Sequence, residues 1–367
     1  MTAPSAANRF GLDYVQEAQR LGPPCVEIID AHTHIGGPQA ARIFGKVMDL
    51  FGIKEVWSMT PLEDVPTIRD ALDGRFRPIA IPDFNAQDIA YASGEGYRKR
   101  LPLFHAHGAR LAKFWAAPRA IDIAEERGAK GLLQLDHPTR LETMQAAVDL
   151  GMGIMVHVAD PDTWFQTMYR NSDRYGTKRQ QYDRLEVVLD RFHDVPLLAA
   201  HMGGWPEDLE FLDGLMERHE QLHLDTSATK WMVRELSRHS QDEFLTFFNR
   251  YSDRILFGSD NVTMEQHLGT SESSGIRNAI STKANSPEGA FDLYASRYFA
   301  LRTLLETDTT CESPIADPDL AMVHPETHSE LHAPQLVGKA LPESILRKIY
   351  NQSHHDLMRR IDARAGL

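Results

Sequence analysis

The chain has 367 residues, of which 42% are hydrophobic and 25% charged, with a net charge of −13; this is the composition of a globular protein with a sizeable core. The acidic balance argues against nucleic-acid or anionic-membrane partners, which require a basic patch. No apolar run reaches the ~20 residues of a membrane-spanning helix, and the N-terminus lacks the apolar run of a signal peptide. Two cysteines, Cys25 and Cys311, fit a reducing, cytoplasmic location.

A leader with one short helix is predicted over residues 1–25, and the first strand follows it. This strand contains Ile28-Ile29-Asp30-Ala31-His32-Thr33-His34 and ends at Gly36-Gly37. Because strand side chains alternate between faces, Asp30, His32 and His34 share one face. Two imidazoles on one face can bind one metal ion.

A His-x-His pair is weak evidence by itself. With 17 histidines in the chain, about 0.8 such pairs are expected by chance. His105 and His107 form a second pair, but they fall in a predicted helix, where positions i and i+2 do not share a face. We therefore expect His105 and His107 to be surface or helix-end residues.

Strands and helices alternate through the next two hundred residues. Further strands are predicted at 55–59, 78–82, 109–115, 153–157, 195–201, 222–226 and 254–260. Helices are predicted at 39–51, 86–106, 139–150, 182–193, 206–220 and 231–251. Residues 131–135 fit either a short extra strand or the approach to a helix that starts near Asp136 and Pro138. About eight strand–helix units indicate an α/β protein whose parallel strands close into a barrel.

The pattern changes after Asp260. Residues 261–340 are predicted to be a long loop region with one helical stretch near 291–306, and a closing helix is predicted over about 342–364. Loops of this length in a compact domain are usually functional or mobile. We expect residues 26–367 to form a single domain.

Polar residues recur where predicted strands end. In a barrel, these carboxyl ends carry the active site. The residues concerned are His32, His34, His157, His201 and Asp260. Neutral imidazoles and a carboxylate with one open position make a catalytic Zn²⁺-type site.

These segments resemble the amidohydrolase superfamily, in particular its "amidohydrolase 2" branch of hydrolases, lactonases and decarboxylases. The resemblance lies in Asp30-Ala31-His32-Thr33-His34, the His157 strand end, Ala200-His201-Met202-Gly203-Gly204 and Phe257-Gly258-Ser259-Asp260. It implies a distorted (β/α)8 TIM barrel with one divalent metal ion, zinc or alternatively manganese. It further implies that His32, His34, His157 and Asp260 are the metal ligands, and that His201 and Asp260 are the catalytic acid/base groups.

Lys113, on the fourth strand, has three interpretations. It binds a substrate carboxylate or carbonyl, it is carboxylated and bridges two metal ions as in binuclear members, or it extends from the strand end to solvent. We favour substrate binding, and add Trp115 and Trp205 as substrate-binding candidates. Asp160 also follows a strand end and is a further pocket candidate.

The leading interpretation is a metal-dependent hydrolase that uses metal-activated water on a lactone, ester or amide. The alternatives are a non-oxidative decarboxylase of an aromatic or unsaturated carboxylic acid at the same site, and a non-catalytic metal-binding scaffold. The expected partner is a small molecule, for which an anion is one option. A homodimer is the suggested assembly.

Overall fold

The computed structural model describes residues 5–269 and 283–366. The strands are β1 (Ile28–Ile35), β2 (Ile53–Ser58), β3 (Phe76–Pro78), β4 (Leu111–Trp115), β5 (Gly153–His157), β6 (Leu197–Ala199), β7 (Leu222–Asp225), β8 (Ile255–Leu256), β9 (Asn261–Thr263), β10 (Thr310–Glu312) and β11 (Gln335–Val337).

The α-helices fall between these strands and at both ends of the chain. They are α1 (Tyr14–Leu21), α2 (Pro38–Phe51), α3 (Val65–Ala71), α4 (Ile89–Ser93), α5 (Glu95–Ala106), α6 (Ala120–Glu126), α7 (Pro138–Asp149), α8 (Asp162–Gln166), α9 (Ser172–Tyr175), α10 (Lys178–Arg191), α11 (Leu209–Arg218), α12 (Thr229–Leu236), α13 (Gln241–Tyr251), α14 (Pro287–Glu306), α15 (Asp319–Val323), α16 (Glu343–Arg347) and α17 (Ser353–Ala365). A π-helical turn, Lys348–Gln352, lies between α16 and α17.

The chain falls into two compact units. The first unit comprises Met1–Ser58, Glu63–Phe76 and Thr226–Ser353, and the second comprises Met59–Leu62, Arg77–Asp225 and His354–Leu367.

In the first unit, β1 lies between β2 and β9 and runs parallel to both. Helices α2 and α14 pack together through the ring of Phe44, whose centroid lies 5.8 Å from that of Tyr294 and 5.9 Å from that of Tyr298. The leader belongs to the same unit, because Tyr14 on α1 packs 5.7 Å from Phe299. This packing places α14 next to the strand that carries the His-x-His pair.

In the second unit, β4, β5, β6 and β7 are neighbours in that order and parallel. The C-terminal helix α17 packs closely on β5. A Cβ atom at Gly153 would lie 2.8 Å from Cδ1 of Ile361 and 3.0 Å from the Pro196 carbonyl oxygen, so the absence of a side chain at Gly153 allows this close packing. Because β4 and β5 are in register, Trp115 and His157 end their strands side by side.

The α/β class and most predicted elements are confirmed, and one local prediction is wrong. The third strand lies at Phe76–Pro78 instead of 78–82. It ends at Pro78, because neither Pro78 nor Pro82 provides an N–H to continue a ladder, and beyond it Ala80 forms a single bridge to Ala112. Residues 131–135 have no strand and lead into α7, which begins at Pro138, so the alternative of a helix start is confirmed. The cap is His137, whose Nδ1 accepts a hydrogen bond from the Thr139 amide at 3.3 Å. The stretch predicted to be mostly helical over 231–251 is confirmed and consists of two helices, α12 and α13.

The region predicted as a long loop over 261–340 contains the helical stretch predicted near 291–306, which is α14, together with short elements that were not predicted. It holds β9, the 20-residue helix α14, α15 and the antiparallel pair β10–β11. Leu336 of this pair packs in a cluster with Val233, Ala300 and Ile315. Strands of three residues are too short to show an alternating pattern, so the sequence did not reveal them. Residues 270–282 of the predicted loop lie outside the described residues.

The closing helix predicted over about 342–364 is found as α16, the π-helical turn and α17. Among the described residues, no helix combines the length and the apolar character that crossing a bilayer requires.

Candidate active site

Two histidines of β1 and one aspartate converge in the first unit. Nε2 of His34 lies 3.3 Å from Oδ1 of Asp260, and Nε2 of His32 lies 3.7 Å from the same oxygen. The nearest ligand atoms of the three residues all lie within 4.8 Å of one another. His32 is 1% exposed, whereas the side chains of His34 and Asp260 are 41% and 28% exposed. The cluster is therefore anchored inside the protein and open to solvent on one side.

This donor set fits a divalent metal ion. Tetrahedral coordination at about 2.1 Å places ligand atoms about 3.4 Å apart, close to the two distances from Asp260. Two imidazoles and one carboxylate are ligands that both zinc and manganese accept. His32, His34 and Asp260 could therefore hold such an ion.

The buried carboxylate of Asp30 positions this cluster. It accepts hydrogen bonds from the Ser259 amide at 3.0 Å, from Ser259 Oγ at 2.5 Å and from the Tyr298 hydroxyl at 2.8 Å. It also accepts one from the His32 amide at 3.1 Å. The Asp260 amide in turn donates to the His32 carbonyl at 2.8 Å. Asp30 thus ties the turn that carries Asp260 to the strand that carries the histidines.

Burial is the main influence on the charge of Asp30. Complete burial raises its pKa to about 7, and the hydrogen bonds from Ser259, the His32 amide and Tyr298 act in the opposite direction. Asp260 itself adopts a left-handed backbone conformation with φ of 56°. Such a conformation costs energy for a residue other than glycine and is common at functional sites.

The second His-x-His pair is in a different environment. Helix α5 ends at Ala106, and His107 is its C-cap residue. Among the described residues, the groups that could hold a metal ion do not include this pair. The prediction that His105 and His107 are helix-end residues is therefore confirmed.

In the second unit, His157 and His201 lie together. Nδ1 of His157 is 3.1 Å from Nε2 of His201, and Nε2 of His157 is 3.0 Å from Oδ1 of Asp160. The other Asp160 oxygen accepts a hydrogen bond from the Tyr169 hydroxyl at 2.8 Å. The arrangement satisfies two neutral imidazoles if His201 donates to His157 and His157 donates to Asp160, a tautomer assigned from the hydrogen bonds.

The backbone of His201 is shaped for its position. His201 and the following Met202 both have positive φ, at 59° and 49°. The His201 amide donates to Oδ1 of the fully buried Asp225 at 2.9 Å. Asp225 therefore stabilises the sharp turn that presents the His201 ring beside His157.

The predicted substrate residues on β4 lie near His157. Lys113 is 5% exposed and stands opposite Met155 in the register. Trp115 stands opposite His157, and their ring centroids are 6.2 Å apart at an interplanar angle of 66°. Lys113 and Trp115 therefore share the strand end region with His157.

Trp205 lies in an aromatic cluster of the second unit. Its indole stacks on Tyr182 at 5.3 Å and contacts Phe211 at 4.7 Å, and the ammonium of Lys178 lies 5.3 Å from the ring centre. These contacts fix the ring by packing. Its role in substrate binding stays a prediction.

Sequence reasoning missed the residues that hold the ligands in place. Tyr298 lies on a long helix and Tyr169 in a polar segment, and each acts through a single hydroxyl group. The neighbouring sequence therefore gives no sign of their roles. Ser259 precedes Asp260 directly, and the Gly-Ser-Asp turn was the only available hint. Their partners became visible only in the folded chain.

Parallel strands joined by helices, with two histidines on β1 and an aspartate that could hold a divalent metal ion, are typical of metal-dependent enzymes of TIM-barrel type. The family model described as Amidohydrolase matches residues 29–352. The chain belongs to this family, the amidohydrolase 2 family, and has its α/β, TIM-barrel-like fold. No curated protein shows a significant match to the sequence.

Solved structures show weaker similarity. The 5-carboxyvanillate decarboxylase of Novosphingobium aromaticivorans, with bound manganese, aligns at a TM-score of 0.40 and 10% identity, over 76% of this chain and 97% of that one. A truncated 3-deoxy-D-arabino-heptulosonate 7-phosphate synthase from Thermotoga maritima aligns at a TM-score of 0.35 and 9% identity, over 73% of this chain and 83% of that one.

Proposed function

We propose that the protein is a metal-dependent hydrolase of a small carbonyl compound such as a lactone, ester or amide. The observation that carries the proposal is the convergence of His32, His34 and Asp260 on one partly exposed point. Membership of the amidohydrolase family supports it.

We further propose that His157 completes the ligand set, with one divalent ion, zinc or alternatively manganese. When bound, such an ion polarises a carbonyl oxygen and lowers the pKa of water to ~7. His157 already donates from Nε2 to Asp160, the arrangement that orients a metal-binding imidazole. Nδ1 of His157 would then be the atom that binds the metal, and His157 would lose its contact with His201.

Asp260 and His201 are the proposed acid/base groups. The carboxylate of Asp260 is 28% exposed, so it can accept a proton from the attacking water and pass it to the leaving group. A protonated His201 would stabilise negative charge that develops on the substrate oxygen. Once the contact with His157 is lost, Nε2 of His201 would be available to the substrate.

Decarboxylation of a small organic acid is the second candidate. It is favoured by the buried Lys113, a cation on the strand beside the one that ends in His157. A lysine at this position can bind the carboxylate of an acid, whereas a neutral ester has no charged group for the lysine to bind.

One experiment separates the two reactions. The metal-loaded protein is incubated in H₂¹⁸O with lactones, esters, amides and aromatic or unsaturated acids. Incorporation of ¹⁸O into a product without release of CO₂ supports hydrolysis. Release of CO₂ without ¹⁸O in the organic product would overturn the hydrolase and establish the carboxy-lyase. Metal bound without turnover of any member of the panel would instead favour the scaffold.

The remaining proposals concern setting and assembly. We propose a cytoplasmic location, supported by the two free cysteines, Cys25 and Cys311. A homodimer is proposed from the family resemblance alone, and sedimentation equilibrium of the full chain tests it directly.

A further inference from the structure

Three cations from separate segments of the first unit gather near Asp260. They are Lys230 on α12, Lys283 before α14 and Arg297 on α14. The charge of Arg297 acts on Lys230 and Lys283, and the charge of Lys230 acts on Lys283. The charge of Asp260 acts on Lys283 and Arg297. Because like charges repel, a cluster of three cations costs free energy that another interaction must offset.

Hydrogen bonds anchor two of these segments at the candidate metal site. The Thr229 hydroxyl, one residue before Lys230, donates to the Ser259 carbonyl at 3.0 Å. On α14, the Tyr294 carbonyl accepts from Asn261 Nδ2 at 3.4 Å. The residues Ser259 and Asn261 flank Asp260. Lys230 and Arg297 are therefore held beside the turn that presents this ligand.

The guanidinium of Arg297 is fixed in place by its own helix. Its Nη1 donates to the Leu293 carbonyl at 3.1 Å and to Ser296 Oγ at 2.8 Å. Both acceptors are neutral, so the charge of Arg297 is not compensated by them. The remaining guanidinium donors can bind a planar oxyanion.

Carboxylates near the cluster are engaged elsewhere. Asp317 and Asp319 influence Lys230, but both bind Arg234, at 2.5 Å and 3.1 Å. In the described part of the chain, no salt bridge within 4.0 Å involves Lys230, Lys283 or Arg297. Asp260 is the remaining acidic neighbour, and a bound metal ion would occupy it.

The environment disfavours the charged forms of these side chains. Desolvation, followed by the charges of Lys230 and Arg297, lowers the pKa of Lys283 to about 7, although the residue as a whole is exposed. Desolvation also lowers the pKa of the half-buried Arg297 to about 10. An anion bound among them would relieve the repulsion and replace part of the lost hydration.

We propose that Lys230, Lys283 and Arg297 form a subsite for the carboxylate of a small organic acid. The proposal deepens the proposed function, because it places an anionic group of the substrate next to Asp260. It also fits either reaction. The carboxylate bound there is a recognition group of the substrate in both cases, distinct from the reacting carboxylate that Lys113 would bind in a decarboxylase.

Isothermal titration calorimetry of the full, metal-free chain with benzoate tests the subsite. We expect saturable binding, at least tenfold weaker binding of the uncharged benzyl alcohol, and at least tenfold weaker benzoate binding to K230Q and to R297Q. The matched control K46Q removes an exposed lysine of α2 and should bind as the wild type does. R297K retains the charge and should lose less affinity than R297Q, and circular dichroism confirms that each variant is folded.

Wild-type affinity in K230Q and R297Q, or the absence of saturable binding, would overturn the subsite. Inorganic phosphate binding more tightly than benzoate would overturn its assignment to carboxylates. Metal uptake is measured separately on the same preparations, after incubation with Zn²⁺ or Mn²⁺ and dialysis. A chain that binds benzoate through these cations but binds no metal would overturn the proposed metal-dependent function and leave the subsite standing.

Discussion

The hydroxyl of Ser259 donates a 2.5 Å hydrogen bond to the carboxylate of Asp30, although 229 residues separate the two in sequence. The bond joins the strand of His32 and His34 to the turn of Asp260, the three residues proposed as metal ligands in the first unit. The ligand set therefore depends on a residue that does not itself belong to it.

Replacing Asp30 by alanine should lower stability and metal affinity together. The change leaves the buried Ser259 amide, the Ser259 hydroxyl and the Tyr298 hydroxyl without their acceptor, at about 1–3 kcal/mol for each unsatisfied group. We expect a loss of at least about 3 kcal/mol in urea unfolding of the metal-free chain. Y298F removes one donor and should cost about 1 kcal/mol. Equal effects of D30A and Y298F would contradict the role of Asp30 as a shared acceptor.

Replacing His34 by alanine should abolish stoichiometric metal binding, since a partly exposed ligand is lost without disturbing the core. H107A provides the matched control, because it alters the other His-x-His pair. Metal content after dialysis, measured by inductively coupled plasma mass spectrometry, checks both variants. Loss of metal in H107A with retention in H34A would show that the wrong pair was assigned.

Replacing Asp160 by asparagine should weaken metal binding by about 10–100-fold, the usual cost of losing the carboxylate behind a histidine ligand. Y169F should have a smaller effect in the same direction, because it removes the hydroxyl that holds Asp160. A chelator competition titration measures the metal dissociation constant. The control is Y175F, whose hydroxyl bonds Asp122 instead. Unchanged affinity in D160N would argue against His157 as a ligand.

Replacing Lys113 by methionine separates its interpretations. If it binds substrate, KM should rise about tenfold or more, as for the loss of a charge-assisted hydrogen bond, with metal content unchanged. If it is a carboxylated bridge, the wild type should contain two metal ions and K113M fewer. If K113M has the KM and the metal content of the wild type, Lys113 has a packing role.

His354 should make the protein sensitive to acid. Burial, with a smaller contribution from His355, lowers the pKa of His354 to about 3. The unfolded chain takes up the proton near its ordinary pKa of about 6.5, so the stability contribution is complete above that pH. It is lost as the pH falls from about 6.5 towards 3, by up to about 1.4 kcal/mol per pH unit.

Urea unfolding between pH 7 and pH 4.5 measures this effect. H354L should flatten the pH dependence, whereas H355Q, which alters the exposed neighbour, should retain it. An unchanged slope in H354L would assign the acid sensitivity to other groups.

The sequence predicted those features that repeat or lie close together along the chain. The alternation of Asp30, His32 and His34 on one strand is such a feature, because a period of two needs few residues to be visible. The polar residues at later strand ends, such as His157 and Asp260, were predicted for the same reason. His157 follows an apolar run directly, and Asp260 follows one after Gly258 and Ser259.

Features that depend on distant partners were not predictable. Helix α14 is buried on most of its surface, so its apolar residues show no simple stripe, and its Tyr298 gives no sign of a partner in β1. The strands β10 and β11 have three residues each, and their pairing is visible only in the fold. The cluster of Lys230, Lys283 and Arg297 likewise exists only once α12 and α14 are in place.

The hydrogen bond from Tyr298 to Asp30 spans 268 residues of sequence. During synthesis, His32 and His34 leave the ribosome early, but Asp30 acquires its full set of donors only after residue 298 has emerged. The ordered ligand geometry is thus a late product of translation. The nascent chain carries its two histidines for most of its synthesis without the framework that aligns them with Asp260.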